Sequence, residues 1–407
     1  MSSNAQVRRR AVQAARGESP FDLLLIDAQI VDMATGEIRP ADVGIVGEMI
    51  ASVHPRGSRE DAHEVRSLAG GYLSPGLMDT HVHLESSHLP PERYAEIVLT
   101  QGTTAVFWDP HELANVLGVA GVRYAVDASR HLPLQVMVAA PSSVPSTPGL
   151  EMSGADFAGA EMETMLGWPE VRGVAEVMDM HGVLHGSERM QEIVQAGLNS
   201  GKLIEGHARG LSGARFTQWG EVEVQVRDGK VQLPAGFSLI WVKHRHGRHQ
   251  ATPQIALLEG WGELRGAIAT SYSHDSHNLV VLGRDANDMA LAANQLIASG
   301  GGMALAQQGE ILAHVAMPIA GMLSDLPAAE LARQFRELRD LSSQVADWEP
   351  PYRVFKAIEG TCLACNAGPH LTDLGLTDGG SRQIVDPLIA CREIPEPTDH
   401  NNNPQGA

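Results

Sequence analysis

The sequence predicts an α/β protein in which a run of parallel βα units lies between two short β-rich segments and is followed by a mixed α+β region. Three observations support this. From Gly76 to about Phe216, strand-like apolar runs alternate with helical stretches: GLMDTHVH, PERYAEIVLTQG, TTAVFWDP, GVAGVRYAVDASRH, LPLQVMVAAP, GVAEVMDM, SERMQEIVQAGLNSG and KLIEGHA. Such alternation is the pattern of parallel βα units. The segments Phe21 to Ser74 and Trp219 to Val242 are short β-type runs broken by Gly, Asp and Pro, and Arg227-Asp228-Gly229-Lys230 has hairpin-turn chemistry. Beyond about His244, the strand-like GAIATSY and NLVVLG mix with the helical DMALAANQLIAS and AAELARQFRELRDLSSQVA. The two β segments are expected to pair into one unit around the βα region, because each is too short to bury a core alone.

Composition narrows the function. The chain has 407 residues, 43% apolar and 19% charged, which is enough core-forming material for several domains. Against 30 Lys and Arg stand 49 Asp and Glu, a formal net charge of -19, and so acidic a chain with no segregated basic face argues against nucleic-acid binding. Cys362, Cys365 and Cys391 are the only cysteines, too few for a disulfide framework, which suits a reducing cytoplasm. No apolar stretch reaches the roughly 18 residues of a spanning helix. The first twenty residues hold four arginines but no apolar block, so they read as a flexible basic tail and not a secretory signal. The C-terminal EIPEPTDHNNNPQGA has the composition of a disordered tail. Eighteen histidines against 7 Phe and 5 Tyr direct attention to metal chemistry.

His81-Val82-His83 ends an apolar run, and in a strand residues i and i+2 face the same side, so both imidazoles can reach one ion. An isolated HxH is more often an ordinary strand exit; here the context raises the metal reading, since the reactive residues of (β/α) barrels gather at the C-terminal ends of strands. Glu176 and His207 end two later strand-like runs. A carboxylate can bridge two divalent ions, with imidazoles filling the remaining positions. In Asp109-Pro110-His111-Glu112, Asp109 as a helix N-cap and Pro110 at the first helical position account for two of the four residues, while His111 and Glu112 are candidates for the pocket. The loop Ser273-His274-Asp275-Ser276-His277-Asn278 is dense in proton-transfer and metal-competent groups. His244, His246 and His249 are interleaved with Lys and Arg, which disfavours a cation, so they are assigned a structural role. Cys362 and Cys365 form a lone CxxC, read as buried thiols on a helix.

Together these strings resemble a known family. PGLMDTHVHLESSHLPPERYAEIVLTQGTTAVFWDPHELANVLGVAGVRY, PSSVPSTPG, GVAEVMDM, EGHARGLSG, RGAIATSYSHDSHNLVVLG and MPIAGMLSDLP are similar to the bacterial adenine deaminases of the amidohydrolase superfamily, over about Phe21 to Asp378. The resemblance implies a distorted (β/α) barrel, a β-sandwich built from flanking segments, and a C-terminal domain. It also implies a binuclear centre of manganese or ferrous iron, and hydrolysis of adenine to hypoxanthine and ammonia in purine salvage. Position by position, His81 and His83 resemble ligands of the first metal, Glu176 the bridging carboxylate and His207 a ligand of the second. Asp109, His111, Glu112, His274, Asp275 and His277, with Glu176, are the candidate catalytic groups. A dihydroorotase-like enzyme would share HxH but not HDSHN or the C-terminal region.

One departure is expected to matter. A full barrel takes about 250 residues, and the span 76–216 holds only about four or five units. The family's Asp-His-Glu strand and its last strand, which supplies an Asp, have no counterpart before the sequence passes from LSGARF into TQWGEVEVQV. The expected fold is therefore α/β, an incomplete amidohydrolase-type (β/α) barrel with a flanking β-sandwich and a C-terminal α+β domain. The expected order is a basic tail 1–20, a first β-sandwich segment 21–75, the truncated barrel with the metal site 76–216, a second β-sandwich segment 217–243, the α+β domain 244–392 and a tail 393–407. The function expected is adenine deamination in the cytoplasm; the alternative is an impaired, deleted relative that acts by association. An opened barrel exposes apolar edges, so a homo-oligomer is expected.

Overall fold

The computed structural model describes residues 3–207, 219–227, 230–250, 252–262, 264–347, 354–366 and 368–388. It divides into two compact units, 1–77 and 78–407.

In the first unit, α1 (Ser3–Ala15) precedes β1 (Phe21–Asp32), β2 (Glu37–Val46), β3 (Met49–His54), β4 (Ala62–Ser67) and β5 (Tyr72–Leu73). These strands form one sheet in the order β3-β2-β1-β4, with β5 also on β1. The expected flexible tail is corrected here. Residues 3–15 are helical because Ala11 and Ala14, three apart and on one face, bury against Phe21, Leu24 and Val46, while the arginines stay on the solvent side.

The second unit begins in β6 (Leu77–Val82) and alternates strand and helix. The order is α2 (Pro91–Leu99), β7 (Thr103–Trp108), α3 (His111–Leu117), α4 (Val119–Ser129), β8 (Gln135–Pro141), α5 (Gly159–Leu166), β9 (Val171–Val177), α6 (Met180–Leu184), α7 (Glu188–Ser200) and β10 (Leu203–Gly206). The five strands lie in sequence order, β10-β9-β8-β7-β6, and the pairs described are parallel. This is the predicted incomplete barrel: a curled sheet with helices on its outer face. Val122, Val126, Val138, Phe157, Met162, Val174 and Ile193 form the core between them. Both end strands carry outward apolar side chains, Leu77 and Met78 on β6 and Leu203 on β10.

The second β segment does not join the first unit's sheet as expected. β11 (Gln225–Arg227) and β12 (Lys230–Gln232) pair only with each other. β13 (Phe237–Lys243) belongs instead to a six-stranded antiparallel sheet with β14 (Gln254–Glu259), β15 (Ala267–Thr270), β16 (Leu279–Gly283), β17 (Gly302–Gln307) and β18 (Glu310–Ala316). The reason is local: β13 finds antiparallel partners in β14 and β16, which follow it in sequence, and Ile240 and Val242 bury among the residues of those strands. Alternation then divides the sheet's two faces. Ala267, Ala269, Leu279 and Val281 meet α8 (Ala286–Ser299). Ile268, Val280, Leu282, Met303 and Leu305 share a core with Trp108 and Leu113 of the βα region. That shared core fixes the C-terminal sheet against the strand ends of the open barrel.

Helix α9 (Ala328–Val345), helix α10 (Val354–Gly360) and the three-stranded sheet β19 (Pro369–Thr372), β20 (Gly375–Asp378) and β21 (Gln383–Val385) complete the unit. Cys362 and Cys365 lie in turns after α10, not on a helix. Cys391, the Phe216 to Thr217 junction and the predicted tail 393–407 lie outside the described residues. No described helix is long and apolar enough to cross a membrane.

His88 gives this core an acid sensitivity. It is buried against Tyr272 and Phe335, with Nδ1 3.0 Å from the Met322 carbonyl, and burial pulls its pKa down to about 4. The unfolded chain takes up that proton near 6.5, so the stability of the neutral ring is fully present above that pH and lost as pH falls toward 4. In urea denaturation, the stability of the wild-type chain relative to His88→Asn is expected to fall by roughly 3 kcal/mol between pH 7 and pH 4. Asn tolerates the left-handed backbone there, where φ is 57°.

Candidate metal centre

The strand ends converge on one carboxylate. Glu176, near the end of β9, has Oε2 at 3.1 Å from His83 Nε2, 3.7 Å from His81 Nε2 and 3.3 Å from His111 Nδ1. Its Oε1 is 2.5 Å from His207 Nε2. The backbone is shaped for this purpose. Glu176 has φ of 44°, a conformation costly for a residue with a side chain, and its carbonyl accepts both the Ser142 and Ser143 hydroxyls, at 3.0 and 2.9 Å. Gly206 lets β10 lie close on β9, since a Cβ there would come 2.6 Å from the Val177 carbonyl oxygen. His207 then follows with its own N–H donated to Val177.

The two β6 histidines are oriented from behind. His83 Nδ1 lies 3.0 Å from the Asp109 carbonyl oxygen, which takes its proton and leaves Nε2 with an open lone pair. His81 Nδ1 lies 3.3 Å from Glu205 Oε1, leaving its Nε2 available in the same way. A ring nitrogen held by carbonyl or carboxylate while the other faces the pocket is the arrangement of metal-ligating histidine. Sequence reasoning missed Glu205, although its i, i+2 relation to His207 was a signal of the same kind as HxH.

From this centre a second group of side chains extends into the C-terminal sheet's loop. Of the two readings of Asp109, the cap is not the one formed: Pro110 holds the cap position of α3 and has no side-chain cap, while Asp109 Oδ2 sits 3.3 Å from His111 Nδ1. His111 starts α3 and reaches Glu112 Oε1 at 3.5 Å and Asp275 Oδ1 at 3.7 Å through Nε2. Glu112, fully buried, meets His274 Nδ1 at 2.8 Å and also His277 Nε2. His277 Nδ1 accepts the Ser273 N–H at 3.2 Å, so its proton is on Nε2, toward Glu112. Thus His81, His83, Asp109, His111, Glu112, Glu176, His207, His274, Asp275 and His277 form one continuous cluster. Two further buried carboxylates brace it. Glu85 accepts from Trp108 Nε1 and the Leu113 N–H. Glu151 accepts from Ser146, Thr147 N and Ser276. Glu151 did not stand out in the sequence, because a single Glu carries no spacing signal.

Electrostatics follow from this crowding. Burial raises the Glu176 carboxyl, but the close imidazoles of His111, His81 and His83 outweigh it and hold the group well below the usual carboxylate range. Burial likewise raises Glu112, and His274, His111 and His277 together lower it. Burial pushes Glu85 up to about 7, helped by the nearby Glu112 charge.

Four interlocking sets of donors each lie within 4.8 Å: His81, His83, Asp109 and Glu176; His83, His111 and Glu112; His111, His274 and Asp275; and Glu112, His274 and His277. Glu176 Oε2, Asp109 Oδ1, His111 Nε2 and Glu112 Oε1 are buried without a hydrogen-bond partner. Imidazole and carboxylate donors left open and aimed at one volume suit a divalent cation.

An open βα sheet with this donor set at its strand ends is the architecture of a metal-dependent amidohydrolase, and the Amidohydrolase family model matches residues 72–227. The Adenine deaminase C-terminal domain model matches 214–383. An adenine deaminase of Klebsiella pneumoniae subsp. pneumoniae is 67% identical over 603 aligned positions, covering 100% of both chains. One of Serratia proteamaculans is 55% identical, covering 95% of this chain and 98% of that one. Adenine deaminase 2 of Rhizobium meliloti is 36% identical, covering 94% and 97%. The chain belongs to the adenine deaminase family. The 603 aligned positions exceed the 407 residues present here, so these relatives carry a stretch without counterpart in this chain, in keeping with a sheet of five strands among the described residues. Among solved structures, a D-aminoacylase is 20% identical with a TM-score of 0.34, covering 45% of this chain and 44% of that one. Nothing in these comparisons favours the alternative of a non-catalytic associating relative.

Glu205 provides a test of the orienting network. Glu205→Ala is expected to weaken divalent-metal binding by roughly 10- to 100-fold, the usual cost of losing a carboxylate behind a histidine ligand. Isothermal titration of the chelator-treated chain measures it; an unchanged affinity would show that His81 is held by other means.

Proposed function

We propose that this chain is an adenine aminohydrolase, converting adenine and water to hypoxanthine and ammonia, with a divalent cation, manganese or ferrous iron, as cofactor and a place in purine salvage. The observation that carries this reading is identity to adenine deaminases over the full chain, joined to a donor cluster at the strand ends. His81, His83, Glu176 and His207 would hold the divalent metal of the centre. The cation's contribution is to make hydroxide available near neutral pH.

The chain's own groups divide the remaining work by their exposure. The His274 side chain is 18% exposed, whereas Glu112 and His277 are at 0%. His274 is therefore the member of the loop that a bound purine can touch, suited to hand a proton to the ring nitrogen or the departing amine. Glu112 holds that imidazole through Nδ1 at 2.8 Å, and His277 positions Glu112 from the other side. Asp275 and Asp109 flank His111 and fix its ring between the two groups of donors. This loop comes from the C-terminal sheet and reaches the cluster through Glu112 and His111.

Hypoxanthine formation after chelator treatment and reloading with manganese or ferrous iron tests the proposal. Turnover is expected to disappear with the metal and return with it. No turnover with the centre fully loaded would overturn the proposal in favour of a deleted relative acting by association. In the active chain, His274→Asn is expected to lower kcat by about 10²- to 10⁴-fold, the usual worth of a general acid or base, while metal content measured by atomic emission stays unchanged. An equal loss of metal would instead assign His274 to the ligand set.

A further inference from the structure

The loop between β13 and β14 contains His244, Arg245, His246, Arg248 and His249. Its interleaved cations argue against a metal on sequence grounds, yet the arginines point elsewhere. Arg245 donates to the carbonyls of His277 and Ala320. Arg248 pairs with Asp156 and donates to the Ser153 carbonyl. His246 Nε2 turns to the Ser276 carbonyl at 2.6 Å. What remains facing inward is His244 and His249, opposite Asp373 in the turn between β19 and β20.

Asp373 Oδ2 lies 3.0 Å from His244 Nδ1 and 3.3 Å from His249 Nε2. Donors sharing one first-row divalent ion, with bonds of about 2.0 to 2.1 Å, stand about 3 to 3.4 Å apart. The side chains of His244 and Asp373 are 1% and 0% exposed, and neither ring nitrogen of His244 has a hydrogen-bond partner in the protein. The close approach of Nδ1 to Asp373 therefore lacks hydrogen-bond alignment, and a buried imidazole left so is costly. A cation seated between the two atoms removes that cost. Asp373 Oδ1 accepts the Met152 N–H at 3.2 Å, which aims the other oxygen at the histidines in the manner of an oriented ligand. His249 is partly exposed, so an ion has a way in.

We propose that His244, His249 and Asp373 form a second divalent-metal site, of the two-histidine, one-carboxylate kind that suits first-row transition ions. It staples the β13–β14 loop to the β19–β20 turn. The same loop carries Arg245 and His246, which hold the carbonyls of His277 and Ser276, so the staple steadies the loop that delivers His274.

Zinc is the probe. The full chain carrying His81→Ala and His83→Ala, which disable the strand-end centre, is titrated with zinc and its melting temperature is followed. This protein is expected to bind one equivalent and to melt higher with zinc. Adding His249→Ala, a partly exposed position whose loss leaves the core intact, is expected to remove that equivalent and abolish the melting shift. Asp373→Asn in the same background is expected to weaken binding at least tenfold. If the His81, His83 variant binds no zinc, or if His249→Ala leaves stoichiometry and melting shift unchanged, the site does not exist. In the otherwise intact chain, His249→Ala is expected to lose one zinc equivalent, a readout that holds even if the double variant fails to fold.

Discussion

The Glu176 carboxylate is the constraint around which the rest is arranged. It is nearly buried, and taking a carboxylate from water costs several kcal/mol unless opposite charge and hydrogen-bond donors replace the solvent. The protein meets that requirement with imidazoles from three other strand ends, His81 near the end of β6 and His83 just after it, His111 after β7 and His207 after β10. Each can reach Glu176 only if the strands are parallel and in register, because only then do their C-terminal ends open on the same volume. The unusual backbone of Glu176, the two serine hydroxyls on its carbonyl and the obligatory glycine before His207 all serve this placement. Here the sheet's topology and the site's chemistry are one requirement.

Glu112 imposes the corresponding demand on the C-terminal sheet. It sits in the first turn of α3, is fully buried, and lies between imidazoles from its own side and from the loop after β15. Removing either side would leave a charge in the core. The antiparallel sheet is therefore held to the open barrel by more than the apolar packing of Trp108 and Leu113 against Ile268, Tyr272 and Val280. A polar contact with such exacting partners also fixes their relative register, which apolar packing alone specifies poorly.

How much of this was legible in the sequence depends on how local each signal was. The parallel units were readable because strand and helix periods alternate within a few residues, and HxH was readable because i and i+2 share a face. His274, Asp275 and His277 stood out by density alone; that they meet Glu112 depends on a sheet packing that no spacing encodes. The N-terminal helix was missed because its arginines masked two small alanines, Ala11 and Ala14, that do the burying. The assignment of β13 to the first unit failed for a related reason: β texture says that a segment is a strand but not which strand it pairs with, and β14 and β16 offered nearer partners. Asp109 shows the limit of local context, since its sequence suits a cap and a pocket group equally and only the fold draws its side chain to His111.

The open sheet gains its meaning from these two constraints together. Among the described residues the parallel sheet has five strands, and the cluster at their ends is completed by side chains from outside that sheet. What occupies the cluster's far side is the loop of the C-terminal sheet, brought in by the shared core and locked by Glu112. His111 is the hinge of the arrangement: Nδ1 faces Glu176 and Asp109 while Nε2 faces Glu112 and Asp275. One imidazole with a carboxylate on every side transmits position from the strand ends to the loop, so a displacement of either would be felt by the other. The continuity of donors from His81 to His277 thus follows from burial. Glu176 draws its imidazoles from the strand ends, Glu112 draws two from the loop of a different sheet, and His111 stands between the two carboxylates.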